Sequence, residues 1–153
     1  MKPLALTMFM MLILLIPSVS AGPILRIEYS FDRLVLLLTP LQEKGSRASE
    51  LAIERISELK DLDEDDSKTA IYELQELLTI VEQNMEIPGN PYKAIRKQQE
   101  IENTLSAVKT QLSLQGAKSE EYGLLVTHAL MRTDLILKEL EFAKQKNKAR
   151  IDN

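Results

Sequence analysis

One histidine and several groups of carboxylates are the residues of this chain that could do chemistry. His128 is the only histidine, and the chain has no cysteine and no tryptophan. Some four-helix bundles bind haem between a histidine and a methionine, so His128 with Met85 is the candidate pair of haem ligands. The competing interpretation is that His128 is a hydrogen-bonded packing residue on or beside the buried face of the last helix. A zinc site would need several histidine or cysteine ligands, which the sequence lacks.

An acidic run could bind a cation. Asp61, Asp63 and Asp65 have the spacing that begins a calcium loop. The sixth position of such a loop needs glycine and the twelfth needs a bidentate glutamate, but these positions hold Asp66 and Tyr72. We therefore expect no calcium loop and interpret the run as a solvated connector that favours the positive end of the next helix. Weak binding of divalent cations is the alternative.

Neighbouring carboxylates could in principle perform acid–base catalysis. Such pairs are Glu54 with Glu58, Glu73 with Glu76, and Glu120 with Glu121. A di-iron site would require two Glu-x-x-His motifs, whereas Leu125 stands three residues before His128. No serine lies in a Gly-x-Ser-x-Gly elbow. We therefore expect a protein that is not an enzyme and that needs no metal or cofactor.

The N-terminus has the pattern of a signal peptide. Lys2 precedes an apolar run from Leu4 to Ile16, which Pro17 ends. A helix over that run is roughly 20 Å long, too short for a hydrocarbon layer of about 30 Å. The small residues Val19-Ser20-Ala21 predict cleavage before Gly22. An uncleaved anchor or a buried N-terminal helix is the weaker alternative.

Composition indicates the compartment and the partners of the chain that remains after cleavage. Residues 1–21 form the predicted signal peptide, and residues 22–153 are long enough for one domain. The absence of cysteine favours a bacterial periplasm over an animal secretory route, so we expect a periplasmic or secreted protein. The whole chain has 19 basic and 23 acidic residues and a formal net charge of −4 at pH 7; loss of Lys2 with the signal peptide leaves 18 minus 23, or −5. Nucleic acid is therefore not an expected partner.

The spacing of apolar residues predicts five helices. The predicted segments are 24–38, about 40–60, about 67–86, 91 to about 115, and about 120–148. The first segment also alternates as a half-buried strand would, but no partner strand follows, so we predict helix. Short connections favour antiparallel neighbours. The predicted fold class is all-α: an up-and-down antiparallel bundle of four long helices plus a shorter N-terminal helix.

Caps and apolar faces complete this prediction. Thr39, Asn90 and Ser119 are the expected N-caps of the second, fourth and fifth helices, and Gly116 the C-cap of the fourth. The first helix presents an apolar face made of Ile24, Ile27, Phe31, Leu34 and Leu38. The second should turn Leu41, Ala48, Ala52, Ile56 and Leu59 inward, with a break near Gly45 and Ser46 as the alternative. The inward positions of the third are Ile71, Leu74, Leu78, Val81 and Met85, and those of the fourth are Tyr92, Ile95, Ile101, Leu105, Val108 and Leu112. We expect these faces to pack together in one core. The last helix has a wide apolar surface, broadened by Leu124, Leu130, Met131, Leu135, Leu137 and Phe142. That width predicts a place for the last helix in the middle of the bundle.

A short motif lies between the first and second predicted helices. Leu38-Thr39-Pro40-Leu41-Gln42 resembles the Leu-Thr-x-x-Gln motif of the periplasmic stress chaperones of the Spy and CpxP type. Those proteins carry the motif twice, whereas the second candidate here, Leu78-Thr79-Ile80-Val81-Glu82, has glutamate in place of glutamine. The resemblance implies a chaperone working in the periplasm.

The sequence supports the following functions to different degrees, and they are given in order of preference. The first is a non-enzymatic helical module that binds another protein or an envelope component through a helix groove, with no transmembrane anchor after cleavage and a homodimer as a possible state. The second is a haem-binding bundle resembling b-type cytochromes, and a periplasmic stress chaperone is a further alternative. A hydrolase or transferase is the least supported, because no spacing makes an acid and a base converge.

Overall fold

The computed structural model describes residues 23–152, and side chains from residue 27 onward, so the predicted signal peptide and its cleavage site lie outside the described part. Within it, the all-α bundle is confirmed. Five helices follow one another: α1 Pro23–Leu38, α2 Leu41–Glu58, α3 Glu64–Gln83, α4 Pro91–Ser113 and α5 Glu120–Ala149. No strand occurs among the described residues, which confirms the choice of helix for the first segment.

Local capping explains where α3, α4 and α5 begin. The predicted Gly116 C-cap of α4 is wrong, because the helix ends at Ser113 and Leu114 is its C-cap. Asn90 accepts a hydrogen bond from the amide of Tyr92 at 2.9 Å, and Ser119 accepts one from Tyr122 at 3.2 Å, so both predicted caps are confirmed. Asp63 caps α3, which therefore begins three residues earlier than the predicted Ser67.

The predicted Thr39 cap is wrong. Pro40 holds the N-cap position of α2 and makes no side-chain cap hydrogen bond. The Thr39 hydroxyl instead donates to the carbonyl of Val35 at 2.7 Å, in the last turn of α1. A threonine hydroxyl can bond back to the preceding turn, and here that bond competes with capping the next helix.

Helices α2 to α5 occupy the four corners of the bundle. The pairs α2/α3 and α4/α5 are antiparallel neighbours, as their short connections predict. The other two neighbouring pairs, α2/α4 and α3/α5, run parallel. Consequently α3 and α4 lie across the diagonal although they follow one another in the chain, a feature that the sequence did not predict.

A glycine permits this diagonal crossing. A Cβ atom on Gly45 would lie 3.0 Å from the carbonyl oxygen of Asn84, where α3 ends, and 3.3 Å from Cδ1 of Ile101 on α4. The α3–α4 connection therefore passes α2 so closely that a larger residue at position 45 would press on the Asn84 carbonyl. This close approach outweighs the low helix propensity of glycine, and α2 continues without the break at Gly45 and Ser46 that was the alternative.

Replacing Gly45 with alanine should lower the free energy of unfolding by about 1 kcal/mol. Alanine gains about 1 kcal/mol in helix propensity, but forcing a methyl group against the Asn84 carbonyl costs about 1–3 kcal/mol. Urea denaturation followed by circular dichroism measures the difference. Gly116→Ala is the control, because a Cβ there meets nothing within 4 Å. A Gly45→Ala protein more stable than the parent would contradict the packing argument.

The core is continuous along the four long helices. Its largest fully buried side chains include Leu51, Ile56, Ile71, Leu74, Leu78, Ile101, Leu105, Leu112, Tyr122, Ile136 and Leu140. The predicted inward faces of α3 and α4 are largely confirmed, with Tyr92 and Ile95 as exceptions at the start of α4. Leu41 at the start of α2 is also exposed rather than inward.

Candidate functional site

The two predicted haem ligands lie in different environments. His128 is exposed on the outer surface of α5, rather than on or beside the buried face. Met85 is only 6% exposed and belongs to the core, where its carbonyl accepts a hydrogen bond from Gln98. The two surface grooves that His128 lines do not include Met85. The described residues thus do not bring this pair into a shared pocket, and haem binding stays a prediction.

The acidic connector acts as a helix start. Asp63 accepts a hydrogen bond from the amide of Asp66 at 2.9 Å, and its carbonyl accepts one from Ser67. The acidic side chains Glu64, Asp65 and Asp66 occupy the first turn of α3, where they favour the positive helix end. Across residues 23–152, no group of three or more histidine, cysteine or acidic residues is arranged to hold a metal ion.

Each of the three carboxylate pairs has at least one member in an ion pair with arginine or lysine. Glu73 and Glu76 each accept a hydrogen bond from Nη2 of Arg33 at 2.6 Å. Glu58 binds Arg55, and Glu121 lies 2.7 Å from Nζ of Lys68. These carboxylates therefore join helices or turns through ion pairs.

Helix α1 turns its predicted inward face to the solvent. We define the α1 stripe as Ile27, Phe31, Leu34, Leu38 and Leu41, which recur at intervals of four and three; Leu41 is the first residue of α2. All except the half-buried Leu34 are more than half exposed. The buried side chains of α1 are instead Tyr29, Ser30 and Leu36. The prediction that this apolar face packs into the bundle is therefore wrong.

A buried arginine on α2 explains the orientation of α1. Arg55 is 2% exposed and forms ion pairs with Asp32 of α1 and with Glu58 of its own helix. Its guanidinium carbon also lies 4.4 Å from the centre of the Tyr29 ring, a cation–π contact. A buried guanidinium needs such partners, and only one face of α1 provides them.

A second ionic contact joins α1 to α3 and, like the contact between Asp32 and Arg55, holds α1 against the bundle. Nη2 of Arg33 lies 2.6 Å from Oε1 of Glu73. Burial raises the pKa of the Glu73 carboxyl, although the charge of Arg33 acts to lower it. Burial likewise raises the pKa of Glu58, against the opposing effect of Arg55. Burial also raises the pKa of the Tyr29 hydroxyl, which therefore stays neutral. The cluster is an anchor for α1 rather than a solvent-facing site.

Helix α5 carries a second exposed stripe, opposite its buried one. We define the α5 stripe as Leu124, His128, Met131, Leu135, Lys138 and Phe142. Its four large apolar side chains are each more than half exposed, so the predicted central position of α5 is wrong. Two grooves of about 460 and 530 Å³ lie along the stripe, and both are lined only by α5 residues. Among residues 23–152, no other helix covers this face.

The sequence analysis did not predict a buried polar network around Gln98. Gln98 is fully buried; its Nε2 donates to the Met85 carbonyl at 3.0 Å, and its Oε1 accepts from Nδ2 of Asn147 at 3.1 Å. Arg150 then donates to Asn147 and to the carbonyl of Gly89. The only signal was the position of Gln98 between Ala94 and Ile101 on the apolar face. The network fastens the α3–α4 connection to α4 and α5.

The fold and these surfaces define the protein as a four-helix bundle with an added external helix and two unpartnered apolar helix faces. No family model matches the chain, and neither a curated protein nor a solved structure matches it. Among the described helices, none is long and apolar enough to cross a membrane.

Proposed function

We propose that this protein is a periplasmic or secreted, non-enzymatic helical bundle that binds an amphipathic helix of another envelope or secreted protein through the α1 stripe. The observation that carries the proposal is the orientation of α1. Ion pairs of Arg33 and Arg55 hold its polar face against the bundle, and its apolar face points outward. Exposing a continuous apolar stripe costs solubility and marks an interaction surface.

The geometry of the α1 stripe supports a helical partner. Its side chains follow intervals of four and three, the spacing with which two helices interlock. Beside the C-terminal end of α1 lies a groove of about 640 Å³ that includes Val35, Leu38 and Pro40. Arg47 and Lys97 line this groove together with Glu43, Glu50 and Glu100, so charges of both signs and apolar side chains line it together. An amphipathic helix with mixed flanking charges is complementary to such a groove.

The compartment in this proposal depends on the N-terminal leader. The leader pattern from Lys2 to Ala21 supports export, and the lack of cysteine supports a fold that does not depend on disulfides. Charged side chains at the helix contacts form ion pairs with one another, which supports a binding role over catalysis.

Photocrosslinking in cells tests the α1 stripe directly. A photoreactive phenylalanine analogue at position 31 or 38 should join the chain to a helix of one partner protein, identified by mass spectrometry of the crosslinked peptide. The same analogue at position 114 is the control, because Leu114 is 78% exposed but lies outside the stripe. Equal products from position 114, or products at position 31 made only of lipid or of a second copy, would refute the proposal.

Substitution of the stripe should weaken the same complex. Phe31→Ser together with Leu38→Ser removes two large apolar contacts, and affinity for the identified partner should fall at least about tenfold. Leu114→Ser should leave the affinity unchanged. Circular dichroism checks that both variants keep their helix content, as expected for exposed positions. Unchanged affinity in the double variant would contradict the assigned surface.

A further inference from the structure

The α5 stripe has the geometry of one half of a two-helix seam. Its six positions are spaced by four, three, four, three and four residues, which keeps them on one line along the helix. From Leu124 to Phe142 the line is about 27 Å long. The opposite face of α5 carries Val126, Ala129, Ile136 and Leu140 and is buried against α3 and α4. Helix α5 is thus apolar on two sides, and the bundle covers only one.

We propose that the α5 stripe is covered by the α5 stripe of a second copy, running antiparallel. In the register centred between Met131 and Leu135, Met131 packs on Leu135 of the second copy, and Leu124 packs on its Phe142. The polar positions then meet each other, with His128 opposite Lys138, so that an imidazole nitrogen can accept a hydrogen bond from the ammonium group. In this register each apolar residue of the stripe therefore packs on an apolar residue of the second copy, and each polar residue meets a polar one.

Other arrangements match these residues less well. In a parallel pair every residue faces its own copy, which places Lys138 against Lys138 in the seam. Sliding the antiparallel pair by one heptad in one direction puts Lys138 against Leu135 and leaves Leu124 without a partner. Sliding it in the other direction puts His128 against Met131 and leaves Phe142 without an apolar partner. Only the centred register pairs all four apolar residues with one another. An ammonium group in an apolar seam is costly unless it is paired. The chemistry of the stripe thus selects one orientation and one register.

The charges beside the stripe are paired within each copy. On one flank, Nη2 of Arg132 lies 2.9 Å from Glu82 of α3, and on the other, Nζ of Lys109 of α4 lies 2.6 Å from Asp134. An antiparallel pair brings the two Arg132 residues near each other on one flank and the two Asp134 residues near each other on the other. Each arrives with its own counter-charge, which reduces the repulsion between the copies, so the flanks permit the pairing and the stripe itself provides the attraction.

The proposed dimer leaves the α1 stripe free. Helix α1 packs on α2 and forms ion pairs with α3, whereas α5 lies diagonally opposite α2. A single pair of helices of this length covers less than the roughly 800 Å² per partner of a standard interface. We therefore expect a dimer that dissociates in the micromolar range. This inference does not rest on the proposed function, since each uses a different face.

Sedimentation velocity over a range of concentrations tests for the dimer, using the full chain purified as it is processed in cells. The parent protein should shift from monomer to dimer as its concentration rises. Leu135→Asp should weaken self-association about a hundredfold, because it places a carboxylate next to Met131 of the second copy. Leu114→Asp, at a more exposed leucine outside the stripe, should dimerise like the parent, and so should Phe31→Asp.

Engineered cysteines test the register, since the chain has none of its own. A mixture of differently tagged Met131→Cys and Leu135→Cys proteins should oxidise mainly to the mixed disulfide between copies. A parallel pair would instead give disulfides between identical positions. Parallel products would overturn the inference, as would a parent that is monomeric at every concentration. Loss of the dimer with Phe31→Asp but not with Leu135→Asp would also overturn it.

The two proposals fail separately. A monomeric parent that still gives stripe-specific crosslinks from position 31 refutes the dimer and leaves the proposed function standing. A dimer with the predicted mixed disulfide but no partner at position 31 refutes the proposed function and leaves the α5 pairing standing.

Discussion

Arg55→Met should lower the free energy of unfolding by about 3 kcal/mol and release α1 from the bundle. Methionine keeps much of the volume of the side chain, but it leaves Asp32 and Glu58 facing each other without the buried guanidinium between them. Tyr29 also loses its cation–π partner. Movement of α1 into solvent relieves the repulsion between the carboxylates, so α1 should separate before the four long helices unfold.

Two measurements test the predicted effects of Arg55→Met. Urea denaturation gives the change in stability, and limited proteolysis at the junction between Leu38 and Leu41 reports the release of α1. Arg47→Met is the matched control, because Arg47 pairs with Glu50 on the surface of the same helix, where such a pair is worth less than about 1 kcal/mol. Equal effects of the two substitutions would show that burial of Arg55 is not what holds α1.

The deficit of Arg55→Met should also depend on pH. Burial raises the pKa of Glu58, and the charge and hydrogen bonds of Arg55 oppose that rise. Without Arg55, the folded-state pKa of Glu58 should move further above its unfolded value. A carboxyl of this kind favours the folded state when protonated, and that contribution is lost as pH rises from the unfolded pKa through the folded one. The deficit should therefore be smaller near about pH 4 than near about pH 7.

Periodicity was sufficient to predict the helices, and two of the three predicted N-caps were correct. The α3 face made of Ile71, Leu74, Leu78 and Val81 is buried as predicted, and so is Met85, which lies just beyond the end of the helix. Helix α3 has a single apolar stripe and therefore only one way to face the core. Asn90 and Ser119 cap as expected, since a cap depends on residues two or three positions away. These properties are local, so the sequence contains them directly.

The outward stripes depend on residues far apart in the chain. The most regular apolar face of α1 points outward because Asp32 and Arg33 reach Arg55 and Glu73, which lie 23 and 40 residues away. No local pattern reports those ion pairs. The broad apolar surface of α5 led to the prediction that this helix lies in the middle of the bundle. A helix at the corner of a four-helix bundle has neighbours on only part of its surface, so one apolar face of α5 stays exposed. What the bundle leaves uncovered is the candidate functional surface.

Gln98→Leu should lower the free energy of unfolding by about 2 kcal/mol. Leucine is close to glutamine in size, so the cost comes from the Met85 carbonyl and the Asn147 amide, which are left without their partners. Gln99→Leu is the control, because Gln99 is exposed one position further along α4. Urea denaturation of both variants measures the difference.

Adding Asn147→Leu to Gln98→Leu should recover part of the lost stability, because removing both members of a buried polar pair costs less than removing one. The exposed Arg150 guanidinium can exchange its Asn147 contact for water, so its loss is small. The double-mutant cycle should therefore give a coupling energy of about 1 kcal/mol or more between the two positions. Additive losses would mean that Gln98 acts only through the Met85 carbonyl, and that α5 takes no part in fastening the connection that crosses the bundle.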